Sequence, residues 1–301
     1  MVFRGFLLSC GVLPIAMLAL LAAGCTTPRS PASDQTRIRQ ARSEMIARGD
    51  ADSLATAAFL TRLATGSWRD APPLAGRAMA MAPKRADLAY LGLLICHQQP
   101  SCPSQPYEER LRELDPANGV VWLFALRRAR QDGSAMNAAL TGLAQAQRVD
   151  LYWTALVSHM TAALAAGARF EQGAAFEYVV GIDAAMVIPP VQPVSTSCSA
   201  AAITQADVLV RCRGIAAAFE QADTILFESY GNHLAARLWP SDSAQGTALA
   251  AQRRLLDQRM AQWSRDELNT PQAIRTLAAL YGQNPTEQAA QVAWYAAEGI
   301  P

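Results

Sequence analysis

Two glutamates, Glu220 and Glu228, have the residue type and spacing that best suit acid–base chemistry. They flank the segment 221–225, where one predicted helix ends and the next begins. A glutamic acid held in a helical cleft can protonate a glycosidic oxygen, so an enzyme acting on peptidoglycan is one hypothesis. The other interpretation is that both are ordinary exposed helix residues. The sequence has no HExxH, GxSxG, P-loop or dinucleotide-binding motif, and we expect no enzymatic activity.

Cys25 is predicted to carry a different chemistry. Arg4 is followed by an apolar stretch over 6–23, and Leu21-Ala22-Ala23-Gly24 directly precedes Cys25. This pattern resembles the signal peptide and lipobox of bacterial lipoproteins, in which the signal is removed and the cysteine thiol receives a diacylglycerol. A proline within the stretch and its position at the N-terminus favour a removable signal over a membrane-spanning helix. The alternative is ordinary secretory cleavage with Cys25 unmodified.

The lipoprotein resemblance implies a location in the cell envelope. Residues 1–24 would be the signal peptide, and residues 25–33 the lipidated cysteine with a flexible tether. Thr26, rather than Asp, after the cysteine implies the outer membrane, with the chain facing the periplasm. The 26 Lys and Arg become 25 when Arg4 is removed, which equals the 25 Asp and Glu. A neutral mature chain argues against nucleic acid as a partner.

Four cysteines lie outside the predicted signal and lipidation site: Cys96, Cys102, Cys198 and Cys212. An even number of cysteines in an oxidising compartment predicts two disulfides. Three connectivities are open, and the favoured one joins sequence neighbours, Cys96 with Cys102 and Cys198 with Cys212. His97 beside Cys96 raises a metal site as an alternative, but the two-to-four-residue spacing usual in zinc sites is absent. We therefore expect no metal and no cofactor.

The mature chain is predicted to be helical nearly throughout. Its body is rich in Ala, Leu, Arg, Gln and Glu, which favour helices, and it has no long alternating strand pattern. The proline-rich segment 187–199 cannot be helical throughout. The predicted helices are Gln35–Arg48, Asp52–Thr65, Pro73–Met81, Ala86–His97, Pro106–Glu113, Val120–Gln131, Ala135–Gln147, Leu151–Ala166, Glu171–Val180, Ile203–Ala217 or Ile203–Gln221, Ile225–Leu238, Ser243–Arg265, Pro271–Tyr281 and Thr286–Ala297.

Several helix ends are predicted from particular residues. Gly133 and Ser134 are expected to end one helix and cap the next. Thr270 before Pro271 is expected to be an N-cap followed by proline at the first helical position. Gly282 and Gly299 lie where a helix needs a left-handed residue to stop.

A stretch in the first half of the body resembles a tetratricopeptide unit. It runs from Leu114-Asp115-Pro116 through Trp122 and Gly133 to Ala138, and Pro83 lies 33 residues before Pro116, close to that family's 34-residue period. The resemblance implies that the prolines end the second helix of a unit and that Trp122 packs between helices. It also implies that Gly133 permits a tight turn and that the small Ala138 lets two helices approach.

These features predict an all-α fold of antiparallel hairpins stacked as a tetratricopeptide-like α-solenoid, with an irregular helical bundle as the alternative. The predicted domains are a repeat region over 34–182, a proline-rich connecting loop over 183–203 and a C-terminal helical region over 204–301. Repeat solenoids offer concave grooves to partners. We therefore expect a protein-binding or scaffold module of the envelope. The remaining alternative is a structural lipoprotein without a dedicated ligand.

Candidate groove residues are polar side chains on the longer helices of the repeat region. We select Arg127, Arg128 and Asn137 as residues that would face a partner protein or peptide. By contrast, Glu108 belongs to a run in which acidic and basic residues alternate over 108–113. That run is predicted to be a solvated, ion-paired helix face.

Overall fold

A computed structural model of the chain describes residues 31–167, 169–183, 189–263 and 270–297. The predicted signal peptide, Cys25, the first part of the tether and Gly299 lie outside these residues. The described residues form α-helices and two short 3₁₀ turns, without a β-strand among them. The predicted all-α fold is confirmed.

Fifteen α-helices are numbered here in chain order within the described ranges. They are α1 (Pro31–Arg48), α2 (Ala51–Thr65), α3 (Ala71–Met81), α4 (Ala86–His97), α5 (Gln105–Leu114), α6 (Val120–Arg128), α7 (Gly133–Gln145), α8 (Trp153–Ala165), α9 (Gln172–Asp183), α10 (Gln192–Ser197), α11 (Ala206–Glu220), α12 (Ile225–Ala235), α13 (Ala244–Trp263), α14 (Pro271–Gln283) and α15 (Glu287–Ala297).

Side-chain caps explain where several of these helices begin. The Thr270 hydroxyl accepts the Ala273 N–H at 3.1 Å, and Pro271 is the first residue of α14, which confirms the predicted start. The start of α7 was predicted wrongly, because Asp132, and not Ser134, accepts the first free N–H groups. Gly133 is the first residue of α7, and Gly282 lies within α14. Neither glycine has a positive φ, so neither is a left-handed stop.

The first seven helices pack in chain order, each against the next. The order then changes: α7 packs on α11, whereas α8 packs on α2, α9 and α14. A solenoid in which each hairpin touches only its neighbours is therefore not established by these contacts. One continuous cluster of buried side chains runs from Ile38 in α1 to Tyr295 in α15.

The first turn of α8 is held by a buried carboxylate from a distant part of the chain. Asp223 lies between α11 and α12, and it accepts the N–H groups of Leu151 at 2.8 Å and Trp153 at 2.9 Å. Burial, and then the neighbouring Asp150, raise the pKa of Asp223. The side chain thus does for α8 what an N-cap residue does locally, but from about 70 residues further along the chain.

Only some of the residues that resemble a tetratricopeptide unit have the roles that the resemblance implied. Pro83 and Pro116 lie in turns after α3 and α5, as the resemblance implied. Ala138 is exposed, so it does not provide the close helix contact. That contact is at Gly142 instead, where an added Cβ would lie 2.3 Å from the ring of Trp122. An added Cβ at Gly133 would meet nothing within 4 Å.

Contacts also join the two predicted helical regions. Helix α11, in the predicted C-terminal region, packs on α7, and α14 packs on α8 and α9. The predicted connecting loop contains the short helix α10, and its Cys198 lies next to Cys212 of α11. The domain boundaries remain a prediction.

Candidate functional site

A cavity of about 350 Å³ lies where α4 ends, α5 begins and α6 passes beside them. We name it the arginine cavity, because two adjacent arginines of α6 form one wall. Its lining residues are Leu93, Cys96, His97, Gln99, Pro100, Cys102, Ser104, Glu108, Phe124, Arg127 and Arg128.

A disulfide closes the turn at one side of the arginine cavity. Cys96, at the end of α4, is bonded to Cys102, with 4.9 Å between the two Cα atoms. Backbone bonds from Gln99 N–H to the Cys96 carbonyl at 3.0 Å and from Cys102 N–H to the Gln99 carbonyl at 2.9 Å tighten the same turn. The predicted pairing of sequence neighbours is confirmed, since Cys198 and Cys212 are bonded as well.

Glu108 forms the buried polar floor of the arginine cavity. Its side chain is 1% exposed, although the sequence pattern predicted a solvated residue. The Ser104 hydroxyl donates to Oε1 at 3.0 Å, Arg112 donates to Oε2 at 3.3 Å, and Arg128 pairs with Oε1. Burial lowers the pKa of Arg128. A carboxylate taken out of water needs such partners, which is why two guanidinium groups converge on it.

Arg127 is placed differently from Arg128. Both residues are exposed, but the guanidinium of Arg127 contacts Nε2 of His97 rather than a carboxylate. The His97 ring meets Phe124 edge-on, with 5.1 Å between the ring centroids. Within the described residues, Arg127 forms no salt bridge to a carboxylate. The cavity therefore combines apolar lining residues with a guanidinium that pairs with no carboxylate in the part of the chain that the structure describes.

The structure brings together two of the three predicted groove residues. Arg127 and Arg128 both line the cavity, whereas Asn137 is exposed on α7 and does not. Sequence reasoning missed Glu108 and Ser104 as parts of this site. A usable signal was present, because Glu108 lies between Tyr107 and Leu111, the two apolar residues that α5 buries.

The predicted carboxylate pair is also brought together, at the junction of α11 and α12. Glu228 is 9% exposed and accepts N–H groups from Gln288 at 2.9 Å and Gln252 at 3.4 Å. Burial, and then the charge of Glu228, raise the pKa of Glu220. The Oε1 atom of Glu220 is buried without a hydrogen-bond partner among the described residues. The interpretation of both as ordinary exposed residues is wrong.

Other candidate features are weaker. A second cavity of about 240 Å³ lies between the first turns of α9 and α14, with Glu171, Glu177 and Arg275 among its lining residues. The described residues hold no group of three or more His, Cys, Asp or Glu side chains placed for one metal ion. Among the described helices, none combines the length and apolar character needed to cross a membrane.

The arginine cavity is thus the concave site with the clearest recognition chemistry in the described part of the chain. Its arginines offer planar donor groups, and the exposed Pro100 offers apolar area for a side chain to contact. Comparison of the chain with known protein families, with curated proteins and with solved structures found no significant match to any of them.

Proposed function

We propose that this chain is a lipid-anchored helical binding module of the bacterial cell envelope, which recognises a partner protein through the arginine cavity. The sequence around Cys25 supports the anchor, and Thr26 after it favours the outer membrane. The single observation that carries the binding role is the meeting of Arg127, His97 and Phe124 in one concave site.

The site has the composition of a recognition surface. Arginine and aromatic side chains are enriched where proteins bind proteins, because they combine apolar area with directed hydrogen bonds. Glu108 and the Cys96–Cys102 disulfide fix the surrounding backbone and one arginine. A site that is ordered before binding loses less entropy when a partner docks.

Capture from cells tests the binding role. Tagged protein is crosslinked in intact cells, the membranes are solubilised, and the co-purifying proteins are identified. A reproducible partner is expected, and the double variant Arg127→Glu/Arg128→Glu is expected to lose it without losing helical circular dichroism. The matched control is Arg253→Glu/Arg254→Glu, which reverses two adjacent exposed arginines on α13. Equal capture by both variants would remove the cavity from the proposal.

The carboxylate pair supports a second candidate function, hydrolysis of peptidoglycan. A general acid needs a raised pKa, and both burial and Glu228 raise that of Glu220. Zymography on cell-wall material tests this candidate. A cleared band that Glu220→Gln or Glu228→Gln abolishes would support it. If no band and no captured partner is found, a structural lipoprotein without a dedicated ligand is the better account.

A further inference from the structure

We infer that the arginine cavity accepts an acidic peptide segment, with a carboxylate side chain bound at Arg127 and a neighbouring apolar side chain against Pro100 and Cys102. This inference deepens the proposed function and depends on it. It names the chemistry of the partner segment, which the proposed function leaves open.

The local charge balance carries the first step. Three arginines, Arg112, Arg127 and Arg128, lie around one buried carboxylate, that of Glu108. Glu108 is bound to Arg112 and Arg128, so the excess positive charge lies at the exposed Arg127. The predicted mature chain has equal numbers of basic and acidic residues, so this local excess does not reflect a generally basic protein. An anionic group would complement this excess positive charge.

The hydrogen bonding of the two cavity arginines shows which of them is available. Arg128 pairs with Glu108 and also donates to the Ser104 hydroxyl at 3.2 Å. Arg127 contacts a ring nitrogen of His97. Such a nitrogen offers one lone pair at most and brings no negative charge. A carboxylate accepts two parallel bonds from a guanidinium, so it would bind Arg127 more strongly than His97 does.

The size and lining of the cavity favour a peptide over a larger anion. Its volume of about 350 Å³ is near the lower end of ligand sites, which run from about 300 to 1,000 Å³. That space suits one or two side chains rather than a folded surface. The apolar surface that the exposed Pro100 and the half-buried Cys102 give the cavity offers nothing to a free phosphate, but it suits a Leu-like residue next to an acidic one in a peptide.

Binding of short labelled peptides to the purified protein tests the inference. The probes are three fluorescein-labelled peptides with Gly-Ser flanks and the cores Glu-Leu-Glu, Gln-Leu-Gln or Lys-Leu-Lys, measured by fluorescence anisotropy. The Glu peptide is expected to bind about threefold or more tightly than the Gln peptide, because a carboxylate, unlike a neutral amide, forms an ion pair with the exposed Arg127. Higher salt is expected to weaken the binding of the Glu peptide more than that of the Gln peptide.

A charge exchange separates recognition from a merely structural effect. The Arg127→Glu variant is expected to lose affinity for the Glu peptide and to gain affinity for the Lys peptide. The control variant Arg253→Glu is expected to change neither affinity. Equal affinity for the Glu and Gln peptides would overturn the inference. So would displacement of the Glu peptide by inorganic phosphate at an equal concentration, or binding only to phosphatidylglycerol vesicles.

The two proposals can fail separately. If the arginine pair is needed to capture a partner from cells but the three peptides bind alike, the binding role stands and the acidic specificity is wrong. If the Arg127→Glu/Arg128→Glu variant captures the same partners as the unchanged protein, the proposed function itself fails, whatever the peptides do.

Discussion

At the scale of single residues, the arginine cavity depends on one carboxylate that the sequence pattern placed in solvent. Glu108 is buried beneath two arginines and a serine hydroxyl. Acidic and basic residues that alternate along a helix usually mark an exposed face, and the residues around Glu108 follow that rule. Glu109 is exposed, and its side chain accepts a hydrogen bond from Gln105. The apolar pattern of the helix distinguishes these adjacent glutamates, because Glu108 lies between Tyr107 and Leu111 on the face that α5 buries.

The two glutamates form a matched pair for a stability test. Glu108→Gln removes a buried charge from Arg112 and Arg128, and both arginines can be rehydrated because they are partly exposed. We expect the free energy of unfolding to fall by about 1–3 kcal/mol, measured by urea denaturation. Glu109→Gln is expected to change it by less than about 0.5 kcal/mol. Equal effects of the two substitutions would contradict the described role of Glu108.

Glu220 gives a prediction about pH. Its raised pKa means that the folded chain keeps a proton which the unfolded chain has already released. The free energy of unfolding therefore falls as the pH rises from about 4.5 through the raised value. Glu220→Gln is expected to make the fall between about pH 4.5 and pH 7 smaller than in the unchanged protein. The remaining fall in the free energy of unfolding is expected from Glu287 and Asp223, because burial also raises their pKa values.

The control for this measurement is Glu109→Gln, which is expected to keep the full pH dependence. An unchanged pH dependence in Glu220→Gln would show that the unfolded chain and the folded chain bind that proton equally. The burial of the carboxyl group would then have no energetic consequence.

At the scale of helices and turns, local rules predicted much of the secondary structure. Helix α4 was predicted over Ala86–His97, and it has those bounds because the turn after Pro83 precedes it and the disulfide-closed turn follows. The partner of α8 could not be predicted in this way. Val157, Met160 and Leu164 lie on one face of α8 and indicate that this face is buried, but not that it lies on α2 or that Asp223 holds the first turn.

Two glycines at the α6–α7 hairpin test the corrected repeat assignment. An added Cβ at Gly142 would lie 2.3 Å from the Trp122 ring, whereas one at Gly133 would meet nothing. Gly142→Ala is expected to lower the free energy of unfolding by about 1–3 kcal/mol through overpacking. Gly133→Ala is expected to be neutral or to stabilise by up to about 1 kcal/mol. A larger loss at Gly133 in thermal or urea unfolding would restore the role that the tetratricopeptide resemblance implied.

The two disulfides are expected to differ in their reaction with thiol reductants. Cys198 and Cys212 are 0% and 1% exposed, whereas Cys102 is half-buried and lines the arginine cavity. A thiolate must reach a sulfur to begin exchange, so access controls the rate. Graded reduction followed by alkylation and mass spectrometry is expected to label Cys96 and Cys102 first. Simultaneous labelling of all four cysteines would contradict this order.

At the scale of the whole molecule, hydrogen bonds between distant segments of the chain join its helices. Glu287 of α15 accepts the Ile225 N–H at 2.9 Å, and Asp223 holds the start of α8, so the last hairpin and the middle of the chain are joined by buried acidic groups. Such long-range bonds leave no local sequence pattern. For the same reason, the sequence predicted only part of the candidate groove. Arg127 and Arg128 are adjacent in sequence, but the turn after α4 and the start of α5, which complete the cavity, are distant from them in sequence.

Site-specific photocrosslinking tests whether a partner docks at the arginine cavity. A photoreactive amino acid replaces Gln99 at the arginine cavity in one strain and exposed Arg253 on α13 in another, and intact cells are irradiated. We predict a discrete crosslinked partner at position 99 that is absent at position 253 and is lost when Arg127→Glu is added. No adduct at position 99, or the same adducts at both positions, would contradict the claim that the arginine cavity is the recognition site.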